Sequence, residues 1–195
     1  YTVQGLYGVE RFDGTTIEKL NKLFMEARTN HPYEWVLKEK CNIRTCIVDN
    51  MDLESDRRFF TPVFKLDPYV FVRSVTQINE MAQKAGMDVT CFDHWLELTG
   101  FMVERAISQG ITVFKSALAY ERPIYYEKVN YAEAEAAFNG IFSNIHLPDW
   151  SSKEIMIGRA FQDYMMHYML GIINRHGLTV QFHTGIQEGS GNILA

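Results

Sequence analysis

Apolar positions along the chain recur with two periods, and the two periods alternate. Across residues 15–28, Ile17, Leu20, Leu23, Phe24 and Ala27 fall three and four residues apart, and Thr15-x-x-Glu18 in front of them has the form of a capping box, so a helix is predicted there. "NIRTCIVDN" (residues 42–50) is short and β-branched and reads as a strand entering a loop at Asp49-Asn50. "FFTPVFKLD" (59–67) is a second strand, interrupted by Pro62, which cannot donate to a ladder. Helical spacing returns from Ser74, with Val75, Ile78 and Ala82 on one face and Gly86 as the stop, and again over 92–108 through Trp95, Leu96, Thr99, Met102, Val103 and Ala106. "ITVFKSALAY" (111–120) is a third strand whose apolar part ends at Lys115. An Ala/Glu-rich helix over 131–141, a break at Leu147-Pro148-Asp149 and a long helix over 152–175 follow, the last with a stripe of Ile157, Phe161, Tyr164, Met165, Tyr168, Met169 and Ile172 read as core. His176-Gly177 closes it, and "LTVQFHTG" opens a fourth strand that climbs to His183.

Strands separated by helices long enough to cross over imply parallel pairing with right-handed connections, hence an α/β fold. No repeat, low-complexity tract or flexible linker divides the sequence, so residues 1–195 are expected to form a single domain. Composition agrees: 195 residues, 47% hydrophobic and 22% charged, suffice for one sizeable core. A formal net charge of -5 without a basic face argues against nucleic acid as a partner. No apolar run approaches the roughly 20 residues of a membrane-spanning helix, and no basic-then-apolar segment opens the chain at Tyr1, which predicts a cytoplasmic protein with no membrane partner. Cys41, Cys46 and Cys91 lack CxxC spacing and are odd in number, so they read as small buried hydrophobes.

In parallel α/β folds the ligand site lies beyond the carboxyl ends of the strands, where loops vary on a rigid base. Three predicted strands end on residues able to do chemistry: Asp49, Lys115 and His183. A neutral imidazole there can hold a divalent metal, and Lys115 can be a charge clamp, a base of lowered pKa, a Schiff-base amine or, carboxylated by carbon dioxide, an anionic ligand. The same three residues also suit a structural histidine, a solvated lysine and a helix-capping aspartate. His94, His146 and His167 carry no assigned role, with His167 at the edge of a helical stripe and His146 in a loop.

Three strings, "VQFHTG", "VFKSALAYERPI" and "EWVLKEKCNIRTCIVDN", together resemble the amidohydrolase superfamily in its amidohydrolase-related branch, with uronate isomerase-like relatives also in view. The resemblance runs in order from about Leu6 to Asn192. It implies a (β/α)₈ TIM barrel in which His183 is the strand-five metal ligand and Lys115 stands at the end of strand four, where many members place a metal-bridging carboxylated lysine. Leu6-Tyr7-Gly8 and Trp35 resemble the insertion after strand one. The family's His-x-His pair of strand one is not found in the sequence, and the strand-six histidine and strand-eight aspartate have no segment to occupy. A closed barrel takes about 250 residues, so the chain is expected to be the middle of one, about strands two to five.

The resemblance further implies a metal-dependent hydrolase with one or two divalent ions, zinc first, acting on an amide, ester or lactone of a small carboxylated substrate. Lys115 and His183 would be catalytic and metal-binding. Tyr120 and Arg122, in the loop beyond Lys115, would bind substrate, the guanidinium at the rim suiting a carboxylate. A surface ion pair with Glu121 is the other reading of Arg122. A uronate isomerase-like isomerase or decarboxylase on the same barrel, and a non-catalytic amidohydrolase-like domain, are the alternatives. The partner is a small molecule, and a homo-oligomer is left open. The "QEGSGN" loop (187–192) contains glycines that would let backbone amides approach a ligand or only serve its turn.

Overall fold

β-branched and aromatic residues form four short strands, and each pairs in parallel with the next in sequence order. The structure, a computed structural model, describes residues 2–29, 32–49, 55–143 and 152–184. It divides into two units: Tyr1–Val48 with Asp52–Pro62, and Asp49–Met51 with Val63–Ala195. The loop at 147–149, His146 and the 187–192 turn lie outside the described residues.

The first unit holds helices α1 (Thr2–Tyr7) and α2 (Ile17–Thr29), a π-helical turn (Glu34–Lys40) and strand β1 (Cys46–Val48), which pairs with the first half of β2 (Phe60–Lys65) from Cys46↔Phe60 to Val48↔Pro62. That ladder ends at the proline, the residue without an N–H to extend it. The expected strand over 42–50 thus shrinks to three residues. The capping box expected at Thr15 is replaced by an Asp13 turn, whose carboxylate accepts from the Thr15 amide at 2.9 Å. The α2 stripe is not closed over: Ile17 and Phe24 remain exposed and, with Val3, Tyr7, Phe12 and Leu20, line an open apolar hollow.

The second unit carries helices α3 (Asp67–Val70), α4 (Val75–Ala85) and α5 (Phe92–Ser108), strand β3 (Val113–Ser116), a 3₁₀ turn (Leu118–Tyr120), helices α6 (Tyr131–Ser143) and α7 (Ser152–Arg175), and strand β4 (Thr179–Phe182). Helix α4 begins and ends where its sequence signals place it. Ser74 accepts from the Gln77 amide at 3.2 Å, and Gly86 closes the helix in the left-handed conformation at φ 67°. The second half of β2 pairs with β3 (Val63↔Val113 to Lys65↔Lys115), and β3 pairs with β4 (Val113↔Thr179 to Ser116↔Phe182). The third strand is shorter than its sequence pattern: after Ser116 the chain turns into the 3₁₀ segment.

Strand alternation separates two faces. Phe64, Phe114, Val180 and Phe182 join one core with the helices, where Phe92, Trp95, Leu98, Phe138, Phe161, Met165 and Met169 are fully buried. Helix α7 buries Met166 and Ile173 in addition to Phe161, Met165, Met169 and Ile172 of the predicted stripe, because it packs against α6, α5 and α3 and so has more than one covered side. The cysteines do not behave as buried hydrophobes. Cys41 is exposed at the end of the π-helical turn, and Cys46 and Cys91 are partly exposed at the starts of β1 and α5, positions where a short side chain meets solvent at an element's end. Among the described residues no helix is long and apolar enough to cross a membrane.

Phe138 is the hub of the aromatic packing, with ring centroids 5.5 Å from Phe92, 5.5 Å from Phe161 and 5.2 Å from Phe142. Phe138→Ala leaves a cavity where three helices meet and is expected to lower stability by about 3–5 kcal/mol, read as a drop in the urea midpoint at unchanged slope.

Candidate functional site at the carboxyl ends of the strands

Register places the chemistry on one edge. Lys65 and Lys115 are direct partners across β2 and β3, and Lys115 is opposite Gln181 on β4. Side chains alternate, so Lys65, Lys115, Gln181 and then His183 share the sheet face opposite the phenylalanine core. Two backbone bonds continue the ladders past the strand ends: the Leu66 amide donates to the Lys115 carbonyl at 2.9 Å, and the His183 amide to the Ser116 carbonyl at 2.9 Å. Lys115 and His183 therefore lie on one face of adjacent strand ends, His183 two positions beyond the register partner of Lys115, and both are half-buried. Among the described residues no hydrogen bond or ion pair engages the Lys115 ammonium.

The imidazole of His183 lies flat against the Tyr120 ring, with centroids 4.3 Å apart and planes at 19°. Tyr120 reaches it from the 3₁₀ turn that follows β3. Asp49 does not cap a helix among the described residues; its carboxylate accepts an ion pair from Lys65 at 3.1 Å.

Arg122 does not form the surface ion pair with Glu121 that its sequence also suited. The side chain is 5% exposed and turns inward. Its guanidinium pairs with Asp163 of α7 at 2.5 Å and donates to Gln162 Oε1 at 2.7 Å, to the Tyr125 carbonyl at 3.0 Å and to the Pro123 carbonyl at 3.2 Å. It also lies 4.4 Å from the Tyr126 ring centroid. Glu121, expected as a surface partner, pairs instead with Arg73 at 2.8 Å. The cause is Asp163, a carboxylate buried on α7 that must be paired: Arg122 is the buried cation beside it, and the more exposed Arg159 lies 3.9 Å from its other oxygen.

Three polar residues at this edge escaped the sequence reading. Lys65 and Asp67 end β2 and begin α3, and Ser116 ends β3. Both carboxylate oxygens of Asp67 accept from the Ala117 amide, at 3.1 and 2.9 Å. Burial raises the Asp67 carboxyl above its ordinary value, against the opposing pull of the Ala117 amide, the Ser116 hydroxyl and Lys65. Burial likewise raises the Tyr126 phenol, with Arg122 and Ser116 pulling the other way. The signal for Asp67 was present: "FFTPVFKLD" is a fourth strand ending on a residue able to do chemistry.

For a divalent metal the donors fit in kind but not in number. A strand-end imidazole beside a lysine is the right chemistry, yet among the described residues no group of three or more His, Cys, Asp or Glu side chains converges, and a catalytic zinc takes three protein ligands. His94 is occupied with the Thr90 hydroxyl, at 3.1 Å, and His167 Nε2 lies 3.2 Å from the Tyr126 carbonyl oxygen.

No protein-family profile and no curated protein matches the sequence. Solved structures do match. Uronate isomerase from Thermotoga maritima overlays 94% of this chain with a TM-score of 0.69 at 16% identity. A protein named as a metal-dependent hydrolase from Lactobacillus casei overlays 79% with a TM-score of 0.55 at 19% identity. The chain shares its fold with part of each of these two structures. It spans 42% and 39% of the length of those two structures, and its four parallel strands form part of a TIM-like barrel.

Two outcomes test this reading of the side chains. Asp163→Ala leaves the Arg122 guanidinium buried without its counter-ion and is expected to cost about 3–5 kcal/mol of stability, measured by urea denaturation. The raised Asp67 carboxyl binds its proton more tightly folded than unfolded, so it subtracts stability as pH rises from the ordinary carboxylate range through the raised value. Asp67→Asn should flatten that decline, and the urea midpoint followed against pH is the readout.

Proposed function

We propose that the chain supplies part of the active site of a metal-dependent enzyme of the amidohydrolase type, a hydrolase of an amide, ester or lactone in a small carboxylated substrate. The observation that carries this is the placement of Lys115 and His183 on adjacent strand ends of one sheet face, in a fold shared with a protein named as a metal-dependent hydrolase. In this reading His183 is a ligand of a divalent ion, with zinc first. Lys115 is a second ligand when carboxylated, or otherwise a charge clamp on the substrate. The remaining ligands come from residues outside those described. A divalent ion in such a site lowers the pKa of a bound water and polarises a carbonyl. Tyr120 holds the imidazole ring and borders the substrate side of it, while Arg122 is left to its pair with Asp163.

One observation favours an isomerase as the second reading. The uronate isomerase overlay covers more of the chain, at a higher TM-score, than the hydrolase overlay. A shared barrel accommodates either chemistry, because the reaction is set by side chains at the strand ends and not by the sheet.

The deciding measurement is the metal content of the purified protein beside its His183→Ala and Lys115→Ala variants, each checked for an unchanged thermal midpoint. The expected result is about one or two equivalents of zinc, manganese or iron in the wild type and loss of most of it from His183→Ala. A wild type that stays metal-free after purification without chelators and after reconstitution overturns the proposal. Turnover of uronates against turnover of amides, esters and lactones then separates the two readings.

A further inference from the structure

Both carboxylate oxygens of Asp67 are spent on the backbone two residues after Lys115. Its two oxygens lie 3.1 and 2.9 Å from one amide nitrogen, that of Ala117, fifty residues away in the chain. The anchor is rigid on the Asp67 side. Leu66 before it is fully buried, and the Leu66 amide is bonded to the Lys115 carbonyl. Pro68 after it fixes the backbone at the start of α3.

On the other side the held amide is a hinge point. Ala117 stands between the last residue of β3 and the 3₁₀ turn, and its own carbonyl accepts the Tyr120 amide at 3.1 Å. Ser116 Oγ reaches the Leu118 amide at 3.4 Å, a long bond that adds little to the turn. The far end of the turn is closed by the Glu121 and Arg122 amides on the Leu118 carbonyl, at 2.9 and 2.8 Å, and its near end is set by where Ala117 is held. The placement of those ends decides where the Tyr120 ring falls, and the ring falls on His183.

We propose that Asp67 is a positioning residue for the His183 site: its carboxylate fixes the Ala117 amide, the amide sets the 3₁₀ turn, and the turn holds the Tyr120 ring against the imidazole. The proposal rests on reading the Lys115 and His183 edge as the functional site. It adds a residue just beyond the end of β2 that acts on the His183 side of that edge through the Ala117 peptide. Removing the acceptor frees the turn and lets the Tyr120 ring leave the imidazole. Asparagine at the same place keeps one acceptor oxygen for the Ala117 amide and so keeps the turn.

The test reads the stack directly and needs no substrate. In protein with labelled histidine, the His183 ring protons are assigned by their loss in His183→Ala. Stacking on Tyr120 places them upfield of their position in Tyr120→Ala, which lacks the ring. Metal content is determined for each sample, and all are compared in the same metal state. The expected result is that Asp67→Ala moves the His183 signals to the Tyr120→Ala position, whereas Asp67→Asn leaves them near the wild-type position. Asp67→Leu, branched at the same carbon and without an acceptor, replaces the alanine variant if that one fails to fold, and is expected to behave like it. His183 signals that stay in place in Asp67→Ala or Asp67→Leu overturn the proposal, as does an Asp67→Asn protein that loses the stack as completely. Metal content and ring position vary independently, so a metal-free protein that shows the expected shifts refutes the metalloenzyme reading and leaves the positioning role standing.

Discussion

Parallel pairing is the constraint from which the rest follows. Two parallel neighbours cannot be joined by a tight turn, so the chain between them must travel back along the sheet, and after β2 it does so as helix. Between β3 and β4 that return takes α6 and α7, and between β2 and β3 it takes α3, α4 and α5. Each return starts at a carboxyl end, so every strand delivers its last residue to the same edge. Lys65, Ser116 and Phe182 end their strands there, and Asp67 and His183 follow within two residues. The grouping of polar residues at one edge is thus a product of topology before it is a product of any chemistry.

The helices that make the returns also close one face of the sheet, and they do so with aromatic and sulfur-containing side chains. Phe92, Phe138 and Phe161 pack ring to ring, and Met165, Met166 and Met169 fill the irregular spaces beside them. Within this apolar layer the Arg122–Asp163 pair is an exception with a definite use. It ties the segment after the 3₁₀ turn to α7 at a point where no strand or helix reaches, and four donors of the guanidinium are satisfied within the protein. Buried ions are tolerated when fully partnered in this way.

Periodic features were the legible part of the sequence. Helix α5 spans residues 92–108 as its spacing requires, α7 spans 152–175, and α4 begins at the serine and ends at the glycine that mark it. All three are long enough for a pattern to repeat. The short pieces were not legible: α1, the π-helical turn, α3 and the 3₁₀ turn each lack the two or more turns a period needs. Of the site, His183 and Lys115 could be found because each terminates an apolar run. Their placement on neighbouring strands could not be, since it depends on contacts between residues 113–116 and 179–182 that no local pattern encodes. The partner of Arg122 was not legible for a related reason: Asp163 lies on a helix, forty-one residues away. Asp67 was visible but passed over, because an Asp-Pro pair after a strand is also what a helix start looks like.

The bonds that hold the strand ends together are backbone bonds. Leu66 to Lys115 and Ser116 to His183 are joined through amides and carbonyls, so the identity of the side chains at 115 and 183 does not enter into them. An exchange of either residue therefore leaves the frame in place while altering the reagents mounted on it. Such a separation makes the edge easy for evolution to vary, since new side chains can be tried one at a time without rebuilding the sheet that presents them. Asp67 is a side chain built into that frame by both of its oxygens, and it is there that variation should be more confined.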